Sequence, residues 1–422
     1  MDTSVMITLG FLVFAIVMFA WERIPLSITA MVVAVGLHLS GVLSAKDAFA
    51  GFVDPNVLLF MGMFVIGETF FATGVAVGVG NVVHKFAKTE TSLLVAVMMI
   101  TGILSGFLSN TGTAAVLIPV IIGICKKSGF KQTKLLMPLV FAAAMGGNIS
   151  LIGAPGNMIA QAGLQQAGLG SFNFFDYGLV GLPILIVGTI FYATIGKRFL
   201  PDAPSHQPDG AFEGNDDYSH VPSWKKWTAA IILILTVVAM IFEKQLGVKL
   251  YVSAWIGALV LVATNVISET AAVKSIDMKT IMLFAGSMAL GDAMVKTGTG
   301  SVIADIIVNS LGASPSPIVV LAVIFVLGVF MTNFMSNTAT CALLVPIGLS
   351  LASQLGFDPK AVLAAIVIAS SLAYATPIGM PANTMVYNIA GYSFMDYVKA
   401  GVPLIIVSSI VAFILLPILF PF

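Results

Sequence analysis

The chain reads as an all-α polytopic membrane protein made of two inverted-topology repeats. Each repeat carries a re-entrant helical hairpin and a discontinuous helix, with about ten transmembrane spans in all. Three observations predict this. Of 422 residues, 59% are hydrophobic and only 9% are charged, with a mean hydropathy of +1.05. Apolar stretches of spanning length recur from one end of the chain to the other. Four sequence blocks occur twice in the same order, 220 to 227 residues apart.

The composition excludes several classes at once. Soluble domains carry about 25% charged residues, and 19 basic plus 19 acidic side chains cannot coat a soluble chain of this length. An ordinary cytosolic enzyme and a disordered chain are both excluded. Zero net charge offers no basic surface to nucleic acid. Forty Gly and nineteen Pro suit membrane helices, where both are more frequent than in soluble ones. Cys125 and Cys341 lie in separate halves with no paired or metal-binding spacing.

A bilayer core of about 30 Å needs roughly 20 mostly apolar residues per helix. Such stretches lie near 4–20, 25–42, 56–78, 91–108, 112–125, 135–163, 178–198, 226–242, 250–267, 280–296, 316–334, 340–355, 361–391 and 401–421. Residues 1–20 lack the basic start and small-residue cleavage pattern of a signal peptide, so they read as a retained span. The Pro-, Asp- and Ser-rich run 201–223 reads as an exposed linker between the halves. Placing both termini outside puts fourteen Lys and Arg in the cytoplasm, among them Arg23, Lys85, Lys131, Lys134 and Lys279. Five stay outside: Lys46, Lys244, Lys249, Lys296 and Lys360. This is the positive-inside bias.

The repeat is explicit. FMGMFVIGETFFATG (60–74) aligns with FAGSMALGDAMVKTG (284–298), and SNTGTAAVLIP (109–119) with SNTATCALLVP (336–346). GAPGN (153–157) then matches GMPAN (379–383), and FDYGLVGLP (175–183) matches MDYVKAGVP (395–403). Each half makes an odd number of net crossings, which turns the halves upside down relative to one another. Secondary transporters use inverted repeats with helices broken at the midplane.

The chemistry follows from the breaks. Non-helical backbone inside lipid survives only where protein or a water-filled cavity receives it. Ser, Asn and Thr favour helix N-caps, so each SNT is predicted to start a half-helix inside the membrane. The N–H groups and positive dipole end of such a helix bind anions. Carbonyls ending the preceding segment suit a cation such as Na⁺. Pro155 and Pro381 are expected to break helix interiors, with Gly153 and Gly379 supplying unusual backbone angles. A single SNT reads most simply as interhelical hydrogen bonding; the duplicated SNT with duplicated G-x-P-x-N favours a site, since packing alone does not ask for the same polar cluster twice. Glu68 and Asp292 are symmetric acids, each weighed as a functional group against a paired or interfacial one. His38 and His84 read as interfacial. No Ser/His/Asp set, HExxH, GxSxG or Walker motif is present, so an enzyme has little support.

The paired SNT motifs with their G-x-P-x-N partners resemble the divalent anion/sodium symporter family of the ion transporter superfamily, over essentially the whole chain from WERIP near residue 21 onward. The resemblance implies a scaffold domain (1–88 and 226–312), a transport domain (89–199 and 313–422) and a cytoplasmic linker (200–225). It implies a homodimer in a bacterial inner membrane, an elevator motion, and Na⁺-coupled symport of a C4-dicarboxylate such as succinate, malate or fumarate. Carried over by motif, one Na⁺ site would use Ser105, Ser109, Asn110 and Gly153, and the other Thr332, Met335 (by its carbonyl), Asn337 and Gly379. Substrate would meet Ser109, Asn110, Thr111, Asn337, Thr338, Pro155, Pro381 and Gly379. Ser105 and Thr332 share the offset of 227, which supports their pairing independently. No Lys or Arg lies near either SNT inside the membrane, so bound Na⁺ and helix dipoles are the positive charge available to a dianion.

The chain departs from the family in having one proline before Asn157 and Asn383 where many members have two, in lacking an extra N-terminal span, and in Glu68 and Asp292. The rival readings are a Na⁺-independent anion exchanger of the same fold, a sulfate or tricarboxylate transporter, and a Na⁺/H⁺ antiporter using Glu68 or Asp292.

Overall fold

The computed structural model describes residues 2–21, 23–76, 78, 88–207, 218–311 and 315–421; His84 and Lys85 fall outside them. All regular structure among the described residues is helical. The first half contributes α1 (Thr3–Trp21), α2 (Leu26–Leu39), α3 (Pro55–Ala72), α4 (Glu90–Ser105), α5 (Asn110–Ser128), α6 (Leu136–Gly146), α7 (Pro155–Gln166) and α8 (Gly178–Thr194). The second contributes α9 (Ser223–Ile241), α10 (Leu250–Ala263), α11 (Met278–Thr297), α12 (Thr299–Leu311), α13 (Pro317–Thr332), α14 (Asn337–Leu355), α15 (Pro359–Ser370), α16 (Pro381–Ala390) and α17 (Phe394–Leu419). Seven of these are long and apolar enough to cross a membrane, and shorter apolar helices accompany them. The protein is an integral, multi-pass membrane protein.

The duplication reaches the helix ends. At the motif offsets, α1 overlies α9 (19 residues each), α2 overlies α10 (14 each), α4 overlies α13 (16 each) and α5 overlies α14 (19 each). Packing is exchanged in the same way. Helix α2 lies on α11 while its counterpart α10 lies on α3, and α14 meets α7 while α5 meets α16. Matched small residues permit the first exchange: a Cβ on Gly62 would stand 2.8 Å from the Ala254 Cβ, and one on Gly286 would stand 2.3 Å from the Ala30 carbonyl oxygen. Close approach through small residues is how membrane helices gain contact without a hydrophobic driving force.

The long apolar runs 135–163 and 361–391 resolve into half-helices. Helices α6 and α7 have 11 and 12 residues, α15 and α16 have 12 and 10. At 1.5 Å per residue each is about 15–18 Å long, roughly half a bilayer core. The prolines do not break a helix interior, as the sequence reading expects. Pro155 and Pro381 stand in the first turn of α7 and α16, where a missing N–H costs nothing. The break lies upstream, at 147–154 and 371–380. There the Asn157 amide donates to the Gly147 and Ser150 carbonyls (both 2.8 Å), and the Asn383 amide donates to those of Ala373 (2.7 Å) and Thr376 (3.1 Å).

Polar contacts at the two ends of the bundle join residues that the Lys/Arg count assigns to one side. At one end Lys131 and Lys134 reach Asp202 at 2.9 and 3.2 Å, holding its carboxyl below the usual carboxylate range. Nearby, the Tyr392 hydroxyl donates to the Thr133 carbonyl (3.0 Å) and Ser205 N–H to the Gly391 carbonyl (2.7 Å). At the other end Lys296 pairs with Asp47 (2.6 Å), Asn56 donates to Gln165 (3.0 Å) and Lys244 to Asn173 (3.1 Å). The start of the linker is therefore exposed but anchored.

Helices α4 and α6 touch backbone to backbone, a Cβ on Gly146 falling 2.0 Å from the Gly102 carbonyl oxygen. Gly146→Ala is expected to lower the melting temperature of purified protein by an amount equivalent to about 1–3 kcal/mol or more. Gly123→Ala, with nothing within 4 Å of its Cβ, should leave the melting temperature unchanged or slightly raised.

Candidate functional site: paired oxygen shells beside converging helix starts

Each hairpin turn is built by capping. Ser109 Oγ accepts from Gly112 N–H (3.0 Å) and Ser336 Oγ from Ala339 N–H (3.1 Å). Satisfying one otherwise unpartnered amide fixes the start of α5 and α14. The next residue, Asn110 or Asn337, turns its amide back toward the preceding helix. Ser105, last residue of α4, donates to the Ala143 carbonyl (2.7 Å) and meets Asn110 Oδ1 at 2.7 Å. Thr332, last residue of α13, donates to the Ser370 carbonyl and meets Asn337 Oδ1 at 2.9 Å.

The result is two matching shells of oxygen. One arm of the Asn110 amide faces Ser105 Oγ and the carbonyls of Ala143 and Gly153, and one arm of the Asn337 amide faces Thr332 Oγ1 and the carbonyls of Ser370 and Gly379; nitrogen on that arm donates to all three oxygens in each case. Ala143 and Ser370 lie in the last turns of α6 and α15. Negative helix ends and uncharged oxygens converge, which is the chemistry of a cation site. Among the described residues no group of three His, Cys, Asp or Glu side chains offers an alternative metal site.

Both asparagines also line one cavity of about 540 Å³. The starts of α5, α7, α14 and α16 meet there, bringing Ser109, Asn110, Thr111, Pro155, Asn337, Thr338 and Pro381 together. Four positive helix ends around one space form an anion-binding environment. The facing wall comes from α2, α3 and α11, including Phe64, Glu68, Asp277 and Lys279.

Residues 16–347 and, in a second alignment, 237–421 match a family model described as citrate transporter. The chain belongs to this citrate-transporter family. It is a membrane transporter, not an enzyme. An uncharacterized transporter of Escherichia coli K12 is 24% identical, with all of both chains covered, and one of Haemophilus influenzae is 28% identical over 96% of this chain and 89% of its own. The sodium-dependent dicarboxylate transporter SdcS of Staphylococcus saprophyticus is 23% identical, covering 94% of this chain and 84% of its own. Among solved structures, the YdaH transporter of Alcanivorax borkumensis has a TM-score of 0.65 at 16% identity over 97% of each chain. MtrF of Neisseria gonorrhoeae scores 0.62 at 12% identity over 99% of this chain and 95% of that one. These two establish likeness of fold.

Within this transporter the sequence-derived residues separate into groups. Ser105, Asn110 and Gly153 share one shell, and Thr332, Asn337 and Gly379 the other. Ser109 Oγ accepts the Gly112 N–H as a cap, and the residue lines the cavity. The Met335 side chain is buried in the same apolar cluster as Leu343, Ala289 and Leu290. Ala143 and Ser370 meet these amides through backbone carbonyls, which any residue supplies and residue type does not mark. Asn157 and Asn383 were visible only as motif letters, yet they hold the broken segments. Lys279, just inside the start of α11, lines the same cavity as the SNT turns, to which the fold and not sequence distance brings it. The two acids separate as well, since Glu68 lines the cavity and Asp292 sits half-buried on α11 outside its lining.

Asn157→Asp and Asn383→Asp each place a carboxylate oxygen against two buried carbonyls. Each is expected to lower stability by about 2–3 kcal/mol or more, read as a depressed melting temperature in detergent. A melting temperature equal to wild type in both would show that these amides do not hold the break.

Proposed function

We propose that the protein is a secondary active transporter that carries a small dicarboxylate together with Na⁺. The observation that carries this reading is the duplicated shell: two symmetric sets of uncharged oxygens, each sharing its asparagine with a cavity ringed by helix N-termini. In this reading Na⁺ occupies the shells of Ser105, Asn110, Ala143 and Gly153, and of Thr332, Asn337, Ser370 and Gly379. The anion sits between Asn110, Thr111, Asn337 and Thr338. Ions held on the shells supply the positive charge that a dianion needs in a low-dielectric setting. The likeness to the sodium-dependent dicarboxylate transporter SdcS supports the same substrate class. The family description favours a second cargo, citrate, which the same chemistry would hold.

The packing supports a scaffold of 1–88 and 226–312 and a transport domain of 89–199 and 313–422. Helices α2, α3, α10 and α11 pack in exchanged pairs, and so do α5, α7, α14 and α16. The polar contacts at the bundle ends support inversion, because α7 ends beside Asn56 while its counterpart α16 ends beside the linker. On the positive-inside count, Pro25, Asp277 and Lys279 are cytoplasmic, so the cavity they line is open inward. The opposite side of the α13–α14 hairpin is sealed, with Met335, Ala339 and Leu343 packed against Leu12, Ala289 and Leu290. One open and one sealed side fit alternating access by an elevator movement in a homodimer.

Proteoliposomes are expected to accumulate labelled succinate under an inward Na⁺ gradient and not under a K⁺ gradient. Asn110→Ala and Asn337→Ala should each reduce this uptake to background while the protein remains folded. Equal uptake without Na⁺ would favour an anion exchanger. Proton movement abolished by Glu68→Gln would favour an antiporter.

A further inference from the structure

Glu68 and Asp292 occupy equivalent positions in unequal surroundings. They align at an offset of 224, each preceded by a glycine, Gly67 or Gly291. Glu68 is exposed although Gly67 and Thr69 beside it are buried, and the space it faces is the cavity. Asp292 is half-buried and does not line that cavity. The hairpins differ in the same sense. A Cβ on Gly67 would stand 3.8 Å from Leu108, the residue before the first SNT, whereas one on Gly291 would stand 3.4 Å from Pro346, inside α14. The counterpart of Leu108 is Met335, and the stretch of chain from Met335 to Pro346 measures about 16 Å as helix.

Helix α3 therefore faces the tip of its hairpin, and α11 faces the middle of its own. The far end of the second hairpin shows the same offset. Gly300 lies against Ser350 of α14, while Gly123, the counterpart of Ser350 on α5, has nothing among the described residues within 4 Å of its Cβ. Each copy of the block thus displays a register that the other copy can adopt. Exchanging the two registers brings Asp292 to the second SNT and withdraws Glu68 from the first, with the cavity open on the opposite face.

Building on the alternating-access reading above, we propose that Glu68 and Asp292 are one wall carboxylate in two copies: each faces the dianionic cargo only on the side to which the cavity is open, and loosens it there for release. An anion held by helix ends and bound Na⁺ leaves slowly, and a fixed negative charge on the facing wall shortens its stay without touching the cation shells. The other charges lining the cavity with Glu68 are Asp277 and Lys279, opposite in sign, and the hairpin tips across from it carry none. The charges acting on Asp292 are Lys296, already paired with Asp47 (2.6 Å), Asp47 itself, and Asp54, which caps α3. Both walls are therefore net negative. A cavity of about 540 Å³ is about 10 Å across, and over that distance a carboxylate weakens the binding of a dianion about fourfold in water, and more where the dielectric is lower.

The test uses right-side-out and inside-out membrane vesicles containing the full-length protein, with exchange of labelled succinate measured from each face at equal, saturating Na⁺. Glu68→Gln should lower the KM at the cytoplasmic face about three- to tenfold, slow the maximal exchange rate, and leave the external KM at its wild-type value. Asp292→Asn should lower the external KM and leave the cytoplasmic one. Both differences should shrink when choline chloride raises the ionic strength from about 0.1 M to about 1 M. Accessibility tests the alternation without reference to cargo. A membrane-impermeant maleimide should label Glu68→Cys from the cytoplasmic face and Asp292→Cys from the external face, with the unsubstituted protein as blank because Cys125 and Cys341 are buried. Equal KM changes at both faces, or wild-type KM at both faces in both variants, overturn the proposal and leave the transport reading standing. Labelling of Asp292→Cys from the cytoplasmic face, or from neither face, does the same. Absence of both succinate and citrate exchange in wild type overturns the transport reading and this proposal with it.

Discussion

The structure turns on helix ends of opposite polarity placed side by side around one cavity. At each hairpin tip, α4 and α6, or α13 and α15, terminate and present hydroxyl and carbonyl oxygens. A short turn further on, α5 and α7, or α14 and α16, begin at the cavity. The negative ends favour a cation and the positive ends favour an anion. Backbone left unsatisfied at this depth would be costly, so the Ser caps, the Asn157 and Asn383 amides and the Tyr177 and Tyr397 hydroxyls, which donate to the Asn157 and Asn383 carbonyls at 3.2 and 2.7 Å, are required by the architecture. Without them the chain would close into continuous helices or unfold locally.

This design keeps formal charge out of the deepest part of the site. The groups nearest the two asparagines are amides, hydroxyls and carbonyls, so the cost of burying an isolated ion is not met while the carrier is empty. Charge sits instead on the opposite wall, where Glu68, Asp277 and Lys279 are exposed. If the two walls slide past one another, these charges meet the cargo on one side of the membrane and leave its surroundings during transfer. Asp277 is already engaged as the cap of α11, accepting from Lys279 N–H (3.1 Å) and the Thr280 hydroxyl (2.6 Å). Among the described residues, no hydrogen bond or ion pair fixes Glu68 or the Lys279 ammonium in this way.

Much of this was legible in the sequence for a physical reason: the repeat writes each constraint twice. Helix boundaries of α4 and α5 transfer to α13 and α14 at a shift of 227 without adjustment, and the residues carried over by motif, Ser105 with Asn110 and Thr332 with Asn337, meet as pairs. What stayed hidden falls into two kinds. Ala143 and Ser370 present backbone oxygens to the two asparagines, and a carbonyl leaves no mark on residue type. Lys279 and Glu68 reach the cavity only through tertiary packing of α11 and α3, and the symmetry that pairs Glu68 with Asp292 in sequence is not kept in their surroundings. The prolines misled in a third way, because Pro155 and Pro381 mark the start of a half-helix as readily as the middle of a broken one.

The central claim is that the two oxygen shells hold cations. A high-resolution structure of the protein determined in Na⁺ and again in K⁺ tests it most directly. The account predicts a density peak in Na⁺ inside both shells, between Asn110 and the Gly153 carbonyl and between Asn337 and the Gly379 carbonyl, and no such peaks in K⁺. Two shells closed by inward amide nitrogens in saturating Na⁺, with no peak in either, would contradict it.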